Sequence, residues 1–468
     1  MTLPRRTAEL PLVPIAIGVA AILAAAAALW AWFFLWRLGP PSSLPQDAAS
    51  AGGRPLVVAV SGDTSGWIVP CGCASSQLGG LLRRGSLLAE LRSKNEVVLL
   101  DAGGAPSGTS LYDRLKFEAI LSGEKALGIA AHNLGGPEAA LGPDYLRQVA
   151  GKLQAPFVSA NLRDAGGTRI GEPFLIIESV AGKLAVIGVL SVKYQTDDCR
   201  VSDPRQSVLE LLPQIEGWYD WLAILAYLPD EELRELAASL PEADLILGGP
   251  TGQCIAPIEV GPALLASATN KGKFLLALSP PDGGEHRRWH GRVVEINEQL
   301  ADDSRQQENL AQFRRVLAER DVAAADSGLL AAAEFPADYR VAGTAACREC
   351  HTDDCQVWDD STHAHAWKTL ADQGAHVDSY CQQCHTTGFG LPGGFVSVQR
   401  SADRVDVGCE SCHGPSQAHA RDAARQTPLV ARDQCLRCHD RENSPQFEYA
   451  AYWEQIVHGG QKNQTATK

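Results

Sequence analysis

Four times in this chain two cysteines flank two residues and a histidine follows directly. The copies are Cys347–Cys350–His351, Cys381–Cys384–His385, Cys409–Cys412–His413 and Cys435–Cys438–His439. Two thiols at that spacing add across the two vinyl groups of a haem, and the adjacent His then lies under the iron as proximal ligand. One such copy also fits half a zinc site or a redox dithiol. Four copies between residues 347 and 439 point instead to four covalently attached haem c groups.

The ligands on the opposite faces follow by elimination. Met, the usual alternative to a second His, occurs only as Met1. No haem here has a His/Met pair, so the distal ligands are His, a weaker group, or nothing. Nine of the twelve His lie beyond Cys347. Five of them are spare: His363, His365, His376, His419 and His458. Bis-His ligation predicts low-spin haems at potentials below those of a His/Met cytochrome. Cys355 lies outside the four motifs; it is read as free, bridging to another chain, or touching iron.

This segment resembles the multihaem cytochrome c-554 family. The matching stretches are WDDSTHAHA from Trp358, CHTTGFG at 384–390, GCESCHGPSQAH at 408–419 and IVHG at 456–459. The resemblance implies that His363, His419 and His458 are distal ligands. His365 sits at a variable position of the first stretch, and His376 matches nothing in the family. The fourth haem is ligated by one of these two or is left five-coordinate, as one haem of that family is. An open iron permits chemistry on a small molecule.

Other elements must position these groups. From about residue 341 to 468, Cys and His are dense and strand signals fade, so a mainly helical and irregular tetrahaem domain is expected there. Residues 56–300 alternate short apolar runs (PLVVAVSG, EVVLLDAG, LAVIGVLS, DWLAILAYL, ADLILGGP) with helical patterns, which is an α/β arrangement with buried strands. Residues 301–340 read as a polar helix and linker, the helix acting as a strut between domains. Residues 38–55 form a Pro/Ser/Gly tether. Ahead of it, Leu10 to Trp36 carries no charge and follows Arg5 and Arg6. That length spans a bilayer, so residues 1–37 are expected to be a cytoplasmic tail and a single transmembrane helix. The expected location is the bacterial inner membrane, with the bulk of the chain in the periplasm.

Residues 56–300 resemble the calcineurin-like metallophosphoesterases, in particular the 5'-nucleotidase branch. VVAVSGDTSG, VVLLDAGG, LGGPEAALG, ILAYLP and LILGGPTG stand where that family carries its motifs. The resemblance implies an α/β sandwich and two metals that activate water. Most of the implied ligands are replaced. Asp63 and Glu138 remain, but Ser65, Gly104, Gly136, Pro137, Tyr227, Pro250 and Gly252 occupy the other positions. Gly and Pro offer no side-chain ligand, so a pseudoenzyme is expected. Four further thiols, Cys71, Cys73, Cys199 and Cys254, lie on loops leaving strand ends, where open α/β sheets form their ligand crevice. They read as structural disulfides, a soft-metal site for Zn or Cu, a redox dithiol, or unpaired thiols. His132, His286 and His290 read as surface or packing residues.

The 468 residues carry 41 basic and 55 acidic side chains, a net charge of −14. That balance excludes a nucleic-acid partner, which needs clustered Lys and Arg. The expected partners are redox proteins or quinol-linked membrane complexes. The leading reading is an electron-transfer protein whose middle domain binds or docks. The rivals are an oxidoreductase acting on a small nitrogen or sulfur compound at an open haem, a metal-dependent enzyme rebuilt in the middle domain, and a ligand-binding sensor.

Overall fold

A computed structural model describes residues 53–70, 77–282, 288–329, 335–336 and 338–459. Among these no helix is long and apolar enough to cross a membrane. The fold class is corrected accordingly: the transmembrane part of the expectation, and the single-pass inner-membrane location drawn from it, are withdrawn. Leu10–Trp36 lies outside the described residues. Cys71, Cys73 and His286 do too.

The middle of the chain is a pair of stacked six-stranded sheets. The first has the order β14-β13-β1-β2-β3-β4. Its strands are β1 Leu56–Ser61, β2 Glu96–Asp101, β3 Ile129–Asn133, β4 Phe157–Val158, β13 Phe274–Ser279 and β14 His290–Glu295. The second has the order β11-β12-β10-β9-β7-β6. It comprises β6 Leu175–Ser179, β7 Gly182–Leu190, β9 Trp221–Tyr227, β10 Leu245–Gly249, β11 Ile255–Val260 and β12 Ala263–Ser267, while β5 Leu162–Asp164 and β8 Cys199–Val201 form a separate antiparallel pair. Strands β1 to β4 are mutually parallel, and so are β7, β9, β10 and β12; antiparallel strands close the edges. Parallel strands are buried on both faces, which is why they read as unbroken apolar runs.

Val58, Val60, Leu100, Val186, Leu225 and Leu247 meet between the sheets. Helices cover both outer faces. On one side lie Leu81–Lys94, Leu111–Ala126 and Ser304–Arg320. On the other lie Pro204–Ile215 and Asp230–Ser239. The helix Ser304–Arg320 is not a strut in solvent. Its residues Gln306, Leu310, Phe313 and Leu317 fall at helical spacing and are buried. Gln306 donates to Gly123 O at 2.9 Å and Asn309 to Ala119 O at 2.9 Å, so this polar helix is packed into the outer helical layer of the middle domain.

Residues 338–459 carry short helices and turns. Ser379–His385 and Cys409–His413 each hold a whole Cys-x-x-Cys-His motif, and Thr344–Arg348 holds the first Cys of another. Three of these segments converge at Gly408. A Cβ there would come within 2.4 Å of Thr344 Oγ1 and 2.5 Å of Thr387 Oγ1. Only glycine allows that approach. Glu410, nearly enclosed, accepts from the backbone amides of Ala342, Gly343 and Ser416 at 2.6–2.8 Å. A buried carboxylate satisfied by three amides fixes the third motif against the start of the first.

Candidate haem centre and the adjoining crevice

The imidazoles of the C-terminal segment come together in pairs. His351 and His419 have ring centroids 6.1 Å apart, His363 and His439 6.1 Å, and His413 and His458 5.9 Å. Two imidazoles sharing one metal, with metal–nitrogen bonds of about 2 Å, place their centroids about 6 Å apart. Each pair joins a motif histidine to one of His419, His363 and His458. The motif histidine His385 is in none of them.

Second hydrogen bonds set the rings. Nδ1 of His385 faces Ala366 O at 2.7 Å, that of His419 faces Arg425 O at 2.6 Å, and that of His458 faces Ile456 O at 2.8 Å. A carbonyl only accepts, so each Nδ1 carries the proton and Nε2 keeps the lone pair a metal needs. Nδ1 of His351 pairs with Asp354 at 3.1 Å and that of His439 with Ser444 Oγ at 3.1 Å. Burial first, then neighbouring histidines, pushes the pKa of His363 and of His413 down, and burial does the same at His439. A lowered pKa favours the neutral imidazole, the form that ligates a metal.

The thiols converge as well. Cys347 of the first motif is hydrogen-bonded to Cys409 of the third, and Cys438 of the fourth to Cys384 of the second. Cys355 is buried beside Cys409. The remaining candidates stand apart. His365 is exposed. His376 stacks edge-on against Trp367 at 5.7 Å, and its buried Nδ1 has no partner. The residues present suit covalently held haem.

The crevice at the strand ends of the middle domain does not suit a pair of metals. Asp63 is consumed by Ser65 Oγ at 2.9 Å, Thr269 Oγ1 at 2.7 Å and the Asn270 amide at 3.1 Å. Glu138 accepts from the amides of Gly104, Ala105 and Gly135 at 2.7–3.1 Å. Two tyrosine rings fill the space between: Tyr194 and Tyr227, 5.2 Å apart. A Cβ on Gly104 would lie 2.7 Å from the Tyr227 ring, and one on Gly136 2.3 Å from the Tyr194 ring. The lost ligands and the tyrosines are therefore one coupled change. Gly104→Asp alone is expected to destabilise the fold by about 1–3 kcal/mol through overpacking, with φ of +84° at Gly104 adding strain. Chemical denaturation measures this, and Tyr227→His in the same chain should recover part of the loss.

Cys199 and Cys254 are both unbonded. Cys199 lies inside an apolar cluster, its Sγ 3.6 Å from Ala139 O, and burial pushes its thiol pKa up. Among the described residues it packs as a thiol with no cysteine bonded to it. The ionic group that sequence reading missed is Asp101, Glu124 and His132, with ligand-type atoms all within 4.8 Å. His132 is fully buried, with Nδ1 2.8 Å from Glu124 and Nε2 3.4 Å from Glu138. A polar residue ending a strand gave no sign of this.

The two parts of the chain touch directly. Trp67, on the loop after β1, packs edge-on against Tyr380 at 5.4 Å. Tyr112 donates to Asp378 at 2.5 Å. Lys271, next to the Asp63 crevice, pairs with Glu442 at 2.5 Å, three residues past His439.

Both halves of the chain have similar proteins among those already known. Residues 346–414 match the family described as cytochrome c554 and c-prime. Cytochrome c-554 of Nitrosomonas europaea is 35% identical over 111 residues, 20% of this chain. The chain spans 47% of that cytochrome's length, about half. Among solved structures, the Thermus thermophilus sulfate thiohydrolase SoxB aligns with a TM-score of 0.50 at 15% identity, over 60% of this chain and 63% of that one. A Thermus thermophilus 5'-nucleotidase precursor aligns at 0.49 and 19% identity, over 57% and 60%. At such identity the likeness to SoxB is one of fold. The C-terminal segment is similar to the cytochrome c-554 family, whose c-type motifs imply covalent haem c, and the middle domain shares the α/β fold of SoxB.

Proposed function

We propose that this protein transfers electrons through four covalently bound haems, three closed by paired histidines and one open. The observation that carries the reading is the set of three imidazole pairs at 5.9–6.1 Å, with His385 outside them. The closed haems pair His351 with His419, His439 with His363, and His413 with His458. The thiol contacts support a close approach of the first haem to the third and of the second to the fourth, which suits hopping between irons. Its donors and acceptors are redox proteins.

The unpaired His385 favours a second reading of the same site: chemistry on a small nitrogen or sulfur compound at the second haem. The middle domain serves as a docking and positioning element. Its tyrosine-filled crevice argues against phosphoester hydrolysis.

The test is spectroscopy on the matured chain. Mass spectrometry should find four haem adducts, and electron paramagnetic resonance should find three low-spin haems and one high-spin haem. Carbon monoxide should bind one ferrous haem in four. Four low-spin haems with no carbon monoxide adduct would overturn the open site; fewer than four adducts would overturn the tetrahaem reading.

A further inference from the structure

Lys116 is set on a helix of the middle domain yet faces the second haem motif. The helix Leu111–Ala126 starts at a capping box in which the Ser110 hydroxyl and the Asp113 carboxylate satisfy each other's backbone amides. That fixes the first turns, and residues four apart share one face. Tyr112 and Lys116 are such a pair. Lys116 Nζ lies 4.8 Å from the centroid of the Tyr112 ring and 5.4 Å from that of Tyr380. Tyr380 directly precedes Cys381, the first thiol of the second motif.

Among the described residues no carboxylate is within ion-pair distance of Nζ. The nearby Asp378 carboxylate is occupied: its Oδ1 accepts from the Tyr112 hydroxyl at 2.5 Å and from the Tyr380 amide at 3.0 Å. Asp378 thereby caps the helix Ser379–His385. Asp113, one turn back on the lysine's own helix, is held by Ser107 and Ser110. The two aromatic faces hold the ammonium by cation–π attraction. Burial lowers the lysine's pKa, while Asp378 and Asp113 oppose that shift.

We propose that Lys116 sets the reduction potential of the second haem, as a cation supplied to it by the middle domain. The inference rests on the reading that Cys381 and Cys384 carry a haem. Reduction adds one electron to that group. A positive charge held close by and partly shielded from water favours the reduced form, and charge and burial are the protein's levers on haem potential. The placement also gives a domain without its metal ligands a task. It sets the driving force at the one haem left open.

The experiment is a potentiometric titration of the haem-loaded full chain, with the second haem followed by its high-spin signal. Lys116→Met keeps the stem and removes the charge; Lys116→Arg restores it. The Met variant should lower the midpoint potential of the second haem and leave the other three in place. The Arg variant should return it towards the original value. A second-haem potential unchanged in Lys116→Met, or an equal shift of all four, would overturn the proposal. Circular dichroism monitors folding, and Lys116→Gln takes the place of Met if Met unfolds the helix. Absence of haem from Cys381 and Cys384 by mass spectrometry would be a failure of the tetrahaem reading, and it is seen before any titration begins.

Discussion

His458→Ala will convert one low-spin haem of the matured chain into a high-spin haem that binds carbon monoxide. His458 is set by a short turn after the helix Tyr449–Ile456. Val457 beside it is buried, and its amide donates to Trp453 O at 2.9 Å. The ring is oriented by its own hydrogen bond to Ile456 O, 2.8 Å away. It faces His413 at 5.9 Å. Removing it leaves the third iron with His413 alone. The low-spin count should fall from three to two, and the potential of that haem should rise as the second strong-field nitrogen goes. His365→Ala and His376→Ala are the controls. His365 is exposed and His376 packs on Trp367, so neither substitution should alter the spin-state count. An unchanged spectrum in His458→Ala would remove His458 from the ligand set.

These assignments differ in how much of them a linear reading can see. Cys-x-x-Cys-His is legible because its chemistry is local: two sulfurs and one nitrogen must reach one ring from adjacent residues. The second ligands are not local. His363 follows the first motif but faces the histidine of the fourth, a pairing created only when the segment folds. In the middle domain, β1, β2, β7, β9 and β10 announce themselves as apolar runs because both faces are buried. Strand β3 ends in His132 and Asn133, both fully buried, and polarity alone disguised it. The helix Ser304–Arg320 looked solvated because its apolar stripe is only a few residues wide. The loss of metal ligands was legible one position at a time. That the rings of Tyr227, itself at one of those positions, and Tyr194 fill the space at Gly104 and Gly136 was not, because they reach the glycines from other strands' ends.

His132→Leu should be the most destabilising single substitution in the middle domain, costing about 3–5 kcal/mol, the range for breaking a buried ion pair from one side. The ring is enclosed on β3 between Glu124 and Glu138, with Phe117 and Phe157 against it. Burial pushes the Glu124 pKa up. At His132 burial lowers the pKa, but the two glutamates outweigh it and the net shift is well upward. A folded pKa above the unfolded value means that His132 stabilises the fold fully below about pH 6.5, and that this contribution is lost as pH rises through the raised value. The shift at Glu124 has the same sign, so both groups make the intact domain less stable towards alkaline pH. Leucine fills the space of the ring but leaves Glu124 buried with no partner on either oxygen, since its Oε1 is already without one. Glu124→Met in the same chain removes that stranded carboxyl and should recover more than half of the loss, because an apolar pair of similar volume replaces an ion pair at little cost. Urea denaturation near neutral pH, followed by far-ultraviolet circular dichroism, reads both effects. A loss below about 1 kcal/mol for His132→Leu, the scale of an exposed pair, would mean that water reaches the cluster and that it is not the charged core of this domain.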